Sequence, residues 1–350
     1  MPRVAGIDPG TLSLDVCGLD DGRVYLDATW PSAEILADPR ALVHGLLDAG
    51  PVDLVVGPSG YGLPLRSARD VSDDELRLAF LARPGERGGI GGLRALARHL
   101  DGAGLPLVFT PGVIHLDTVP AHRKLNRVDL GTADKVCAAA LAIADQCGRR
   151  GRTPDEVSLV LLELGGAFTA GLAVAGGRIV DGIGGSSGPL GWRAAGAMDA
   201  EVAFLAGEVT KADVFQGGVA TVTAHDAALG PLAREAYVEG AARAARQLCG
   251  TAPEADEIVL SGRIAADPSI RGALTAALAG LGEVRMLAGF AAHAKQGAQG
   301  AALIADGLVG GTHRAMVERL RIREAKGTVL DHLHVISPAA ARRRLGLDHA

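Results

Sequence analysis

The chain has 350 residues, 48% apolar and 21% charged, which is enough for two ordinary cores and too apolar for a disordered polypeptide. Its formal charge of −5 supplies no basic field for a nucleic-acid backbone or an anionic membrane surface, so a small-molecule partner is expected. The four cysteines lack CxxC or metal-ligand spacing, the opening MPRVAGIDPG lacks the order of a secretory leader, and no long uncharged apolar stretch occurs; a reduced, cytoplasmic setting without membrane contact is expected.

In chain order, residues 3–8 read as a buried strand, Pro9-Gly10 as a turn and residues 12–19 as a second strand. Asp21-Gly22 is the hairpin turn before a third strand at 23–26. Residues 52–56 read as a further strand, and 82–92 (ARPGERGGIGG) as a polar loop. Residues 131–146 (GTADKVCAAALAIADQ) are alanine-rich, free of proline and of glycine after their start, and offer Thr132 or Asp134 as caps, which predicts a helix linking two halves. A polar loop is expected at 148–155 (GRRGRTPD).

The opening pattern then returns, with strands at 157–163, 168–175 and 178–183 separated by Gly165-Gly166 and Gly176-Gly177. A shift of 155 positions pairs Asp8 with Glu163, Gly10 with Gly165, Gly22 with Gly177, Arg23 with Arg178 and Val24 with Ile179, without a gap. A strand at 257–260 runs into Ser261-Gly262-Arg263 and a helix. A late helix at 292–308 carries Gly297, Ala298, Gly300 and Ala301, small enough for two helix backbones to approach. Residues 339–350 read as a peripheral helix.

These readings predict an α/β fold of two duplicated lobes, residues 1–130 and 131–350, each a mixed sheet with flanking helices. Asp8 ends an apolar strand before a glycine turn, a costly place for an acid unless it faces water, a metal or a donor. Gly10 and Thr11 on the first turn, with Gly165, Gly166 and Thr169 on the second, can bring amides and hydroxyls to phosphate because glycine keeps the approach open. Asp8 and Glu163 are the candidates for magnesium or its waters. Asp134 and Lys135 open the linking helix, and Arg193 in an apolar setting calls for an anion. Ser261, Gly262 and Arg263 offer a backbone gap for adenine or ribose. Ser59, Tyr61, Ser186 and Ser187 are candidates to line an acceptor pocket, and Arg123, Lys124, Asn126 and Arg127 to attract an anion.

The turns GIDPGT and ELGGAFT, the helix start GTADK, the segment LSGR and the late AQGAALIADG resemble, in that order, the superfamily of acetate and sugar kinases, actin and heat-shock chaperones. NRVDLGTADK and VVGPSGYGLP look like an uncharacterised family of predicted butyrate kinases. The resemblance implies actin-like, ribonuclease-H-like lobes with an interlobe nucleotide cleft, and ATP with magnesium. It also implies transfer of the terminal phosphoryl group to a small anionic acceptor: a short-chain carboxylate, giving an acyl phosphate, or else a hydroxyl. Homodimerisation is left open.

Three departures stand out. Glu163 replaces the histidine of acetate and butyrate kinases, Arg193-Ala194-Ala195-Gly196 is one residue longer than their RSG, and Lys295 stands where they place a magnesium-associated acid. A carboxylate acceptor needs no base, whereas an alcohol gives Glu163 that role. Two other classes fit parts of the chain. One is a non-catalytic ATP-binding regulator, consistent with the departures. The other is a serine hydrolase using Ser186 in Gly184-Gly185-Ser186-Ser187-Gly188, which requires an elbow leading directly into a helix.

Overall fold

Turn chemistry sets the first meander. Asp21 and Gly22 both take positive φ, 50° and 75°, the combination whose twist matches a two-residue hairpin. Around them lie β1 (Arg3–Pro9), β2 (Ser13–Asp20) and β3 (Arg23–Pro31), the last running well past its expected end. The strands β4 (Leu54–Gly57), β5 (Arg66–Ser67) and β6 (Leu107–Phe109) complete a sheet ordered β3-β2-β1-β4-β6-β5. The second meander is β7 (Leu159–Leu164), β8 (Thr169–Ala175) and β9 (Arg178–Ile183), joined by β10 (Glu257–Ser261) and β11 (Glu283–Met286) in the order β11-β10-β7-β8-β9. The computed structural model describes residues 2–10, 12–57, 60–83 and 89–347, and the side chains of all these but 89–94.

The two sheets repeat one register. Asp8 pairs with Asp15 across β1 and β2, and Glu163 with Ala170 across β7 and β8. The β2/β3 ladder slips between Gly18 and Leu19, and the β8/β9 ladder between Ala173 and Val174. The parallel neighbours also correspond, Val4 with Leu54 and Leu159 with Glu257. Each first-half position of the two meanders is 155 residues before its counterpart. A slip by one residue would exchange the faces of a strand, so shared register and shared irregularity mark a duplicated unit.

By internal contacts the chain divides into two compact units. The first comprises Met1–Val128, Thr132–Asp155 and Ala288–Ala350, the second Asp129–Gly131 and Glu156–Leu287. In the first, the linking helix (Ala133–Arg150) buries Val136, Cys137, Ala140 and Ile143 and crosses the late helix (Gln296–Leu308) backbone to backbone. A methyl on Gly300 would overlap the Cys137 carbonyl, which explains the small residues of this crossing. The linking helix continues through Gly148 to Gly151 at φ 62°, so the loop expected at 148–155 begins later. Packing here overrides a mid-helix glycine, which costs about 1 kcal/mol.

In the second unit, Val160, Leu162, Ile258 and Leu260 of the sheet pack against Tyr237, Ala241, Ala245 and Leu248 of the helix Gly230–Cys249. The loop expected at 82–92 falls partly outside the described residues, and a helix (Gly89–Gly102) occupies its end. The carboxyl-terminal helix is Pro338–Arg344, with 348–350 outside the described residues. Among the described residues no helix is long and apolar enough to cross a membrane, and all four cysteines are free thiols.

Candidate functional site

In the first unit, β1 carries Asp8 to its carboxyl end, 9% exposed and opposite Asp15. Two neighbouring buried carboxylates are costly unless donors surround them. Asp15, 1% exposed, accepts the hydroxyls of Ser13 and Thr29 at 2.8 Å each, and Lys295 Nζ lies 3.2 Å from its Oδ2. Asp8 abuts the first turn of the late helix, where a methyl on Gly297 would overlap its carboxylate. Burial would raise the Asp134 carboxyl, but the ammonium of Lys135, 2.5 Å away, and the Thr132 hydroxyl hold it below the ordinary range. Burial first, then Asp134 and Asp8, push the Cys137 thiol far above its usual value, so both acids act on one buried neighbourhood.

The first turn differs from expectation in its donors. The Gly10 N–H donates to Ser13 O at 2.9 Å and to Asp8 O at 3.1 Å, so this amide closes the turn rather than pointing outward. The positive group over the turn is a side chain: a methyl on Gly10 would come within 2.8 Å of Lys295 Nζ. Thr11 and Ser59 lie outside the described residues.

In the second unit, Glu163 sits half-buried near the end of β7, between Ala170 on β8 and Ser261 on β10. The Gly165 N–H again donates inward, to Phe168 O at 2.9 Å, while Gly166 borders open space. Arg193 closes on this turn, its Nε donating to Gly166 O at 3.2 Å and its amide to Ala167 O at 3.1 Å. It forms no ion pair among the described residues. Thr169 is buried and donates to Leu190 O at 3.2 Å, so it is an internal strut rather than an exposed donor.

Ser261 is 2% exposed, and its Oγ has no hydrogen-bond partner among the described residues. Gly262 takes φ 89°, and a methyl there would overlap the Leu164 carbonyl. Only glycine lets this turn cross the end of β7, which brings Ser261-Gly262 onto the Glu163-Gly165 corner. Arg263 is exposed and precedes a short 3-10 turn (Ile264–Ala266) before the helix Pro268–Ala277. Sequence reading missed Tyr237, buried in the core of this unit. Burial chiefly, with Glu163 adding to it, raises its phenol pKa against an opposing contact from Thr169.

Other candidates turn out to hold loops. Ser186 donates through both N–H and Oγ to Asp129 Oδ2 at 2.9 Å, and Ser187 Oγ donates to the Asp129 carbonyl at 2.5 Å. No helix follows this turn, so the elbow that a serine nucleophile requires is not formed. Lys124 is buried and donates to Leu116 O at 2.7 Å, and Asn126 Oδ1 accepts the amides of His334 and Val335 at 2.7 and 3.0 Å. Lys124 thus braces the segment just before it, and Asn126 fastens the carboxyl-terminal segment.

Among the described residues, no three His, Cys, Asp or Glu side chains gather as a metal cage. Magnesium commonly takes one or two carboxylates and completes its shell with waters and phosphate oxygens, a mode that a single strand-end Asp8 fits.

This fold is that of the actin-like kinases. The chain is similar to a propionate kinase from Francisella tularensis subsp. tularensis SCHU S4, at 14% identity over 86% of this chain and 99% of that one, with a TM-score of 0.60. It is likewise similar to acetate kinases from Entamoeba histolytica (11% identity, 78% and 85% covered, TM-score 0.55) and Porphyromonas gingivalis (14%, 78% and 86%, 0.55). The chain belongs to the family described as "Protein of unknown function (DUF1464)", which matches residues 6–335. No curated protein matches the sequence. These likenesses show the fold and the family, and they do not single out butyrate kinases.

Proposed function

We propose that the protein is a cytoplasmic ATP-dependent phosphotransferase for a small anionic molecule, a short-chain carboxylate such as butyrate or acetate being phosphorylated to an acyl phosphate. The observation that carries this reading is the repeated register: in each unit an acid ends the first strand and leads into a glycine turn, within a fold shared with acetate and propionate kinases. Phosphoryl transfer depends on positioning and charge neutralisation more than on covalent chemistry from the protein. Magnesium, held by Asp8 directly or through water, would neutralise phosphate charge. Gly166, Ser261, Gly262 and Arg263 contact the nucleotide. Arg193, which forms no ion pair among the described residues, takes the acceptor or the transferring group. Asp134 and Lys135 support Asp8 as neighbouring charges.

A hydroxyl acceptor is the second reading, favoured by one observation: a carboxylate, Glu163, stands at the second corner and can serve as general base. The test is incubation with magnesium ATP and a panel of short-chain acids and polyols, with hydroxylamine trapping. Hydroxamate supports the acyl-kinase reading and phosphoester alone the second; ATP binding without turnover on any acceptor leaves a regulator, and absence of ATP binding overturns both.

A further inference from the structure

The loop before the late helix is held by two side chains that fix the backbone leading into Lys295. Asp27 accepts three successive amides, Ala292 at 2.8 Å, His293 at 3.0 Å and Ala294 at 2.7 Å. Gln299, buried in the helix, accepts the amides of Phe290 and Ala291 at 2.7 and 3.2 Å and donates to Ala294 O at 2.6 Å. Every residue from 290 to 294 is tied down, and Lys295 follows directly. Its side chain, 43% exposed, sets Nζ 3.2 Å from Asp15 and 3.4 Å from Ser13 O, over the bare Cα of Gly10.

We propose that Lys295 is a fixed phosphate-binding cation of the first corner, contacting nucleotide phosphate oxygens beside Asp8; this rests on the ATP-dependent reading. Three features argue for more than a counter-ion. Asp15 already accepts two hydroxyls, so its desolvation is partly met without lysine. An ammonium has three N–H donors, and the half-exposed Lys295 keeps capacity on its solvent side. The Gly10 amide is engaged inside the turn and Lys295 Nζ lies over it, so among the described residues the lysine is the group here that can meet an anion. Asp27 and Gln299 hold the backbone that leads into Lys295, and Asp15 and Ser13 O hold its ammonium, so less side-chain freedom remains to be lost on binding.

The experiment measures magnesium-ATP affinity calorimetrically on wild type, Lys295→Gln and the double variant Asp15→Asn with Lys295→Gln. Glutamine can still donate to Asp15, and the double variant carries no unpaired buried charge, so folding, checked by thermal melting, is preserved in at least one. Both variants are expected to bind more weakly by on the order of 10-fold or more, the worth of a charge-assisted contact. If either folded variant binds magnesium ATP as wild type does, Lys295 merely neutralises Asp15 and the inference fails alone. If folded wild type binds no magnesium ATP, the phosphotransferase reading fails and takes this one with it.

Discussion

The two corners share a backbone and differ in charge. Opposite the strand-end acid, the first unit places Asp15 and the second Ala170. The extra carboxylate comes with two hydroxyls and Lys295, whereas the basic group of the second corner, Arg193, rests on a backbone carbonyl. Duplication therefore preserved the scaffold while the sides of the meander diverged. The first corner sets the ammonium of Lys295 beside its acids, an arrangement suited to metal and phosphate, and the second turns the Arg193 guanidinium toward its glycine turn. If that division holds, equivalent substitutions in the two units must have unequal consequences.

The largest inequality is expected in turnover. Asp8→Asn removes the charge proposed to hold magnesium and should lower kcat/KM about 10³-fold, near 4 kcal/mol of transition-state stabilisation. Glu163→Gln should cost only about 10-fold with a carboxylate acceptor, which needs no base, and roughly 10²–10⁴-fold with a hydroxyl acceptor, where a general base contributes that much. Steady-state kinetics on both acceptor classes decide. Equal losses for the two substitutions on a carboxylate would break the division of labour.

Next comes Ala170→Asp, which gives the second unit the carboxylate of the first without its lysine. Ala170 is buried and faces Glu163 across the strand pair, so the new acid is buried opposite a like charge. A loss of about 3 kcal/mol is expected from urea unfolding, in the range for an uncompensated buried charge. An unchanged midpoint would mean the second corner already contains a cation able to serve both acids.

Why one corner was legible in the sequence and its chemistry only in part follows from range. Asp21-Gly22 and Gly176-Gly177 declare hairpins through local turn chemistry, and the gap-free shift that aligned Asp8 with Glu163 carried the register with it, down to the irregularities at Gly18 and Ala173. The ends of the strands read from the sequence therefore fall within two residues of those observed, except at β3, which runs on to Pro31. The partnership of Asp15 with Lys295 was not, because it joins positions 280 residues apart and depends on how the late helix lies against β1. The Gly10 amide was misread for a related reason: a glycine turn permits phosphate approach but does not say whether its own N–H is already engaged. Tyr237 and Asp129 carry no motif, and only tertiary packing brings them to Glu163 and Ser186.

Acid should weaken the first unit through His115. Burial holds this imidazole down at about 4, against the opposing Gly112 carbonyl, so it stays neutral in the fold while the unfolded chain protonates it near 6.5. The unfolded state then binds more protons between those values, and stability is lost as pH falls from about 6.5 to about 4, by at most about 3 kcal/mol. The second unit contains only the exposed His225. Urea unfolding of wild type and His115→Gln at pH 7.5 and 5 should show a smaller acid loss in the variant. Parallel losses would place the acid sensitivity elsewhere.

The smallest expected effect is also the most discriminating for the second corner. Ser261 Oγ is buried without a partner among the described residues, so its desolvation is uncompensated there and Ser261→Ala should leave the free protein within about 1 kcal/mol of wild type or slightly more stable. A hydroxyl retained at a loss in the free protein is one that a ligand can satisfy, and the same substitution should weaken nucleotide binding several-fold. Melting measured with and without magnesium ATP separates the two effects: the ligand-induced rise should shrink in the variant while the unliganded midpoint holds. A fall in the unliganded midpoint with an unchanged ligand response would make Ser261 a packing residue and leave the Gly262 crossing as this segment's sole contribution to the corner.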